Sequence, residues 1–122
     1  MSQRVKQAVD LFNEGFSCSQ AIVAAYADQY GLDRNQALKI AAGLGGGIGR
    51  TGSVCGAVTG AILILGLRFG TTDPKDKNAK YEAYKKVQLV NEEFKTRTGS
   101  LICRELLGFD FTTPEGNLRA KQ

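Results

Sequence analysis

Apolar residues return at three- and four-residue intervals along most of the chain, and this spacing restricts it to helices. Val5, Ala8, Val9 and Phe12 mark one helical face, Ala37, Ile40, Ala41 and Leu44 another, and Ala83, Val87, Val90 and Phe94 a third. No stretch alternates apolar and polar residues as a half-buried strand would. Start signals punctuate the pattern. Ser17 and Gln20 have capping-box spacing and predict a helix from Cys18, with Phe16 as its staple. Asp33 and Gln36 repeat the arrangement, with Leu32 as the staple. Thr51 or Ser53 is the expected cap of an apolar helix running through about Phe69. Within it Gly56 and Gly60 lie four apart and allow a neighbouring helix to approach closely. Asp73-Pro74 opens a long helix to about Arg97. Ser100 starts a short one, Leu101 to Leu107, which Gly108 stops, and Thr113-Pro114-Glu115 has the form of a further start. The expected fold is all-α: a compact bundle of about five helices in one domain spanning 1–122, with a glycine-rich loop between the third and fourth.

Such a chain is long enough to bury a core without disulfides or metals. Its net charge of +4 is modest, and basic residues alternate with acidic ones over 73–97. Neither a basic stripe nor aromatic-basic interleaving is present, so nucleic acid is not an expected partner. The longest apolar run, Val54 to Leu67, is shorter than a membrane span and is interrupted by glycine. It reads as a buried central helix, and no membrane association is expected. Met1-Ser-Gln-Arg leads into a polar amphipathic stretch without the apolar core of a secretory signal. A cytoplasmic location is the corresponding expectation.

Three cysteines and no histidine narrow the chemistry. The absence of histidine removes Cys-His dyads, Ser-His-Asp triads and His-ligated zinc or haem from within the chain. An odd number of cysteines in a reducing compartment points to free thiols, a transient disulfide or a metal. Cys18 falls at the first position of its predicted helix, Cys55 near the second and Cys103 near the third. Unpaired backbone N–H groups and the helix dipole favour an anion there. That setting can lower a thiol pKa from ~8.5 toward ~3.5–7.5, and the thiolate is both nucleophile and metal ligand. The separations match no local metal knuckle such as C-x-x-C, so any shared site must be assembled by the fold. The competing reading makes the cysteines small core residues.

The loop Gly45-Gly-Gly-Ile-Gly-Arg-Thr-Gly52 is the second feature. Gly47 to Gly52 matches G-x-G-x-x-G, but a helix precedes it where a dinucleotide fold needs a strand. One reading is a tight connection that uses glycine for positive φ. The other is an anion- or cofactor-facing loop formed by Gly45, Gly46, Gly47, Gly49 and Arg50. Ile48 is expected to plug the core. Tyr26, Tyr30, Tyr81 and Tyr84 read as packing residues, and the carboxylates form no convergent acid–base pair.

Four segments, in order, carry a family resemblance: Gly15-Phe-Ser-Cys-Ser-Gln-Ala21, Ala42-Gly-Leu-Gly-Gly-Gly-Ile-Gly-Arg50, Val54-Cys-Gly-Ala-Val-Thr-Gly60 and Cys103-Arg-Glu-Leu-Leu-Gly108. Over about 12–110 the chain resembles the C_GCAxxG_C_C family of redox-active proteins, a segment of which is also similar to split-Soret cytochromes c. Cys18 matches the family's first cysteine. Cys55 matches the central one, although the namesake Gly-Cys-Ala reads Cys55-Gly56-Ala57 here. Cys103 matches the cysteine before Arg-Glu-Leu-Leu-Gly. The last cysteine of the family name has no counterpart, because no cysteine follows Cys103. No C-x-x-C-H occurs, so covalent haem is not implied.

Three readings follow. In the first, the chain is a thiol oxidoreductase in which Cys18 and Cys55 are the reactive pair and Cys103 resolves or assists. Its partner would be a small molecule or a protein with redox chemistry. In the second, the same three thiolates hold a metal ion or iron–sulfur cluster with a fourth ligand from outside. In the third, the chain is a structural or interaction domain with core cysteines. An apolar patch left by a thin bundle would make a homodimer.

Overall fold

The computed structural model describes residues 3–108, whose regular elements are all helices. Six α-helices follow in order: α1 (Gln3–Asn13), α2 (Cys18–Tyr26), α3 (Arg34–Ala42), α4 (Gly56–Phe69), α5 (Lys77–Thr98) and α6 (Cys103–Leu107). A 3-10 turn, Ala27–Tyr30, prolongs α2 and ends at Gly31, which takes a left-handed φ of 81°. The count is six rather than about five, with α6 a single short turn of its own. Among the described residues the only β pairing is one antiparallel bridge, Val54 to Ile102. The predicted start at Thr113-Pro114-Glu115 lies outside the described residues.

Local chemistry sets most of the boundaries. Ser17 caps α2 through a reciprocal box: Gln20 N–H donates to Ser17 Oγ, and Ser17 N–H donates to Gln20 Oε1. The Gln20 amide also reaches the Leu38 carbonyl, tying this start to α3. Asp33 caps α3 by accepting from Gln36 N–H at 2.8 Å. Three helix starts differ from the sequence reading. The long helix is capped by Asp76 and begins at Lys77, while Asp73 accepts from Lys75 N–H in a preceding turn. Neither Thr51 nor Ser53 caps α4; Cys55 itself is its N-cap, because 52–55 is drawn straight by pairing with 101–104. Ser100 accepts from Ile102 N–H, so α6 begins only at Cys103, after Ile102 has been used in the bridge.

The centre of the fold is α2, which packs against α1, α3 and α4. This corrects the expectation that the apolar α4 is the buried central helix. In α4 only Gly56, Val58 and Gly60 are buried, and its larger residues Ala61 to Leu65 are half-buried. The core cluster is made of small side chains, Val23, Ala27, Ala37 and Ala41, covered by Ala24, Leu32, Leu63 and Ile64. Small residues let helix axes approach closely. A Cβ on Gly60 would lie 3.1 Å from both Ile22 Cβ and the Ser19 carbonyl, so α4 meets α2 nearly backbone to backbone. Buried Ser19 donates to the Ala41 carbonyl at 3.0 Å and joins α2 to α3. No helix of the described residues is long and apolar enough to cross a membrane.

Candidate functional site

Cys18 is held in place by the capping box, as the first residue of α2. Cys55 and Cys103 are held by the pairing of their two segments. Cys55 N–H donates to the Leu101 carbonyl at 2.7 Å, Cys103 N–H donates to the Ser53 carbonyl, and Arg104 N–H donates to the Gly52 carbonyl. With Val54 opposite Ile102, Cys55 and Cys103 lie on the same face of the bridge as diagonal neighbours. Such neighbours sit roughly 7–8 Å apart at Cα and closer at Cβ, within reach of long side chains. Cys18 arrives from the other side: a Cβ on Gly56, next to Cys55, would lie 3.3 Å from Cys18 Cβ.

The glycine-rich segment between α3 and α4 makes this convergence sterically feasible. Gly46, Gly47, Ile48, Gly49 and Arg50 all have positive φ, from 60° to 72°, so the chain turns left-handed over five successive residues. Left-handed residues normally occur singly, because Cβ crowds the following carbonyl. Here glycine at three of the five removes that clash. A Cβ at Gly47 would lie 2.7 Å from Cys103 Cβ and 2.6 Å from Ser53 N; one at Gly45 would lie 2.9 Å from Ser17 Cβ. The loop thus presses against the segment of every cysteine. Ile48 is exposed rather than a core plug, since the left-handed turn swings it outward. The backbone N–H groups of residues 48 to 53 all donate to carbonyls of residues 43 to 48, and Thr51 Oγ1 also bonds within the loop. Those donors are therefore engaged inside the turn.

All three cysteines are free thiols and partly buried. For Cys18 and Cys103 the electrostatics reverse the expectation from helix position. Burial pushes the Cys18 thiol above its ordinary value. Neighbouring Cys55 and then Cys103 push it further, and only a backbone N–H at its own helix start opposes them. Burial and then Cys55 raise Cys103 as well. Each of the three thiols thus lies within electrostatic reach of the other two. At Cys18 desolvation outweighs the favourable helix N-terminus. Among the described residues, no group of three or more Cys, His, Asp or Glu side chains is placed to hold a metal ion.

What fold and site define is an all-helical protein in which three cysteine-bearing segments, distant in sequence, lie against one another. The C_GCAxxG_C_C family model, described as "Putative redox-active protein (C_GCAxxG_C_C)", matches residues 16–122, and the chain belongs to that family. No curated protein and no solved structure matches the chain.

Proposed function

We propose that the chain is a thiol redox protein in which Cys18 and Cys55 exchange between dithiol and disulfide, with Cys103 as the resolving partner of Cys55. The observation that supports this reading is the convergence of three partly exposed cysteines, each on a different segment: Cys18 lies against Gly56 beside Cys55, and Cys55 and Cys103 flank one bridge. A purely structural cysteine needs no second thiol beside it.

The chemistry is thiol–disulfide exchange. One thiol ionises, giving its proton to solvent, and its sulfur attacks an external disulfide. A mixed disulfide forms, the external S–S bond breaks, and one thiolate leaves to take up a proton. A second cysteine then attacks the mixed disulfide, forms the internal bond and releases the second external thiol. Two protein thiols are oxidised and one external disulfide is reduced. Because Cys18 and Cys103 hold their protons tightly, attack by either should accelerate as pH rises above neutrality. A reducing compartment such as the cytoplasm would keep the three thiols available for this cycle. In this reading Gly45, Gly46, Gly47 and Gly49 shape the site, and Arg50 supplies positive charge to the loop that leads to Cys55.

Oxidation of the reduced chain by a disulfide reagent, followed by peptide mapping, tests the proposal. A Cys18–Cys55 link should form in the folded protein and be reversed by dithiothreitol. Cys103→Ser should leave the Cys18–Cys55 link intact, whereas after Cys55→Ser any internal disulfide should be slower to form and should map to Cys18–Cys103. If all three thiols react only after unfolding, and each Cys→Ser costs ~1–3 kcal/mol as an unsatisfied buried hydroxyl would, the cysteines are core residues and the redox reading fails.

A further inference from the structure

The α1 face beside Cys18 gathers exposed apolar residues around a thiol. Ala8 is the buried residue of α1, while Val5, Val9 and Phe12 on the same helix are 40%, 45% and 53% exposed. Scattered exposed apolar residues need no explanation. These three share one face at i, i+4 and i+7, and with Ile22 and Tyr26 of α2 they line an apolar groove of about 240 Å³ that Cys18 also lines. No charged side chain lines it. The polar groove between α1 and α2 differs on each count: Arg4, Asp10, Asp28 and Arg34 line it, ion pairs Arg4–Asp28 and Arg34–Glu14 cross it, and no thiol reaches it.

We propose that the apolar groove is the substrate site of Cys18 and selects an uncharged, apolar small-molecule disulfide. An apolar cavity of ~150 Å³ accepts benzene, so this one suits a molecule of about ten non-hydrogen atoms. A charged disulfide would lose hydration on entry and find no counter-charge in the lining. An apolar one gains from burial on both helices and places its S–S bond against the Cys18 sulfur. Cys18 then attacks as described above: the Cys18–S bond forms, the substrate S–S bond breaks, and the departing thiolate takes a proton from solvent. The reactive step rests on the thiol redox reading; the binding step does not.

Dipropyl disulfide and cystamine test the apolar preference directly. They have equal numbers of non-hydrogen atoms and differ in ending in methyl or ammonium groups. With the reduced full chain, site-resolved mass spectrometry should show Cys18 favouring dipropyl disulfide by about tenfold more than Cys103 does, the scale set by burying two terminal carbons. Val9→Asp should remove or invert the preference at Cys18 and leave both rates at Cys103 unchanged. Phe12→Ala, which only opens the groove, should reduce it. Dipropyl sulfide, which has no S–S bond to exchange, should bind saturably and shift the methyl resonances of Val5 and Val9. Absence of a shift together with equal preferences at Cys18 and Cys103 overturns the groove as a substrate site, while oxidation of Cys18 would still uphold the redox reading. Dipropyl sulfide binding with no reaction at any thiol overturns both.

Discussion

The thiol-bearing end of the molecule and the long helix α5 are held by different forces. At the thiol end, Gly45, Gly47, Gly56 and Gly60 let backbone and cysteine segments approach to distances that a single added carbon would close. In α5, none of the 22 residues is buried; its main packing partner is α4, and exposed pairs such as Lys85–Glu82 and Arg97–Glu93 decorate its surface. Surface pairs of that kind contribute little each. The geometry of the thiols therefore depends on steric fit, where small changes are costly. The long helix depends on propensity and one shared face, where small changes are absorbed.

The sharpest way to break this comparison is Gly47→Ala. The residue has φ 72°, and its Cβ would fall 2.6 Å from Ser53 N and 2.8 Å from the Gly52 carbonyl carbon, both backbone atoms that cannot swing aside. A left-handed alanine costs roughly 1–2 kcal/mol, and overpacking typically adds about 1–3 kcal/mol. Urea denaturation should show a loss of about 3.5 kcal/mol, the sum of mid-range values for those two costs. A loss under about 1 kcal/mol, below either cost alone, would mean that the loop yields easily and does not fix Cys103.

A smaller effect should emerge with pH. Cys18 and Cys103 hold their protons more tightly in the folded chain than in the unfolded one. Below the ordinary thiol value of about 8.5 both states are protonated, and this contribution to stability is fully present. As pH rises past that value the unfolded chain ionises first, and stability is lost until the folded thiols ionise too. The urea midpoint should therefore fall between about pH 8 and pH 10 by more in the wild type than in the Cys18→Ser/Cys103→Ser double variant. Equal slopes would show that the thiols are neither buried nor coupled enough to matter.

Much of the fold is legible in the sequence because its signals are local. The Ser17–Gln20 box and the Asp33 cap each involve residues a few positions apart, and both stand as the spacing predicts. The four-residue spacing of Gly56 and Gly60 announces a close helix approach, although not that α2 is the partner. Starts that depend on distant chain fall elsewhere than local pattern suggests. Cys55 is an N-cap and Cys103 a first residue because 52–55 pairs with 101–104, an interaction no local pattern encodes. The same long-range pairing governs the thiol electrostatics. Helix position alone suggests lowered pKa values, but burial and mutual proximity arise only in the folded chain and act in the opposite direction. The glycine run is visible, yet its steric role toward Ser17 and Cys103 requires the segments to be placed.

The mildest test lies on α5. Leu89 is 60% exposed, Tyr81 58% and Tyr84 50%, all on a helix whose half-buried seam, Ala83, Val87, Val90 and Phe94, lies elsewhere. A side chain that already meets water in the folded state loses little when it is cut back. Leu89→Ala also replaces one good helix former with a better one. The change in stability should stay within about 0.5 kcal/mol, well below the Gly47→Ala effect. Beside the α5 seam, Asn91 Oδ1 is shielded from solvent without a hydrogen-bond partner, the only such side-chain atom among the described residues. Asn91→Leu would remove that unpaired acceptor and should leave stability unchanged or slightly raised, since the lost polar atom has no bond to forfeit. A loss above about 2 kcal/mol for Leu89→Ala, the scale of a buried leucine truncation, would show that the outer face of α5 is covered in solution and that the helix is more tightly held than its packing on α4 indicates.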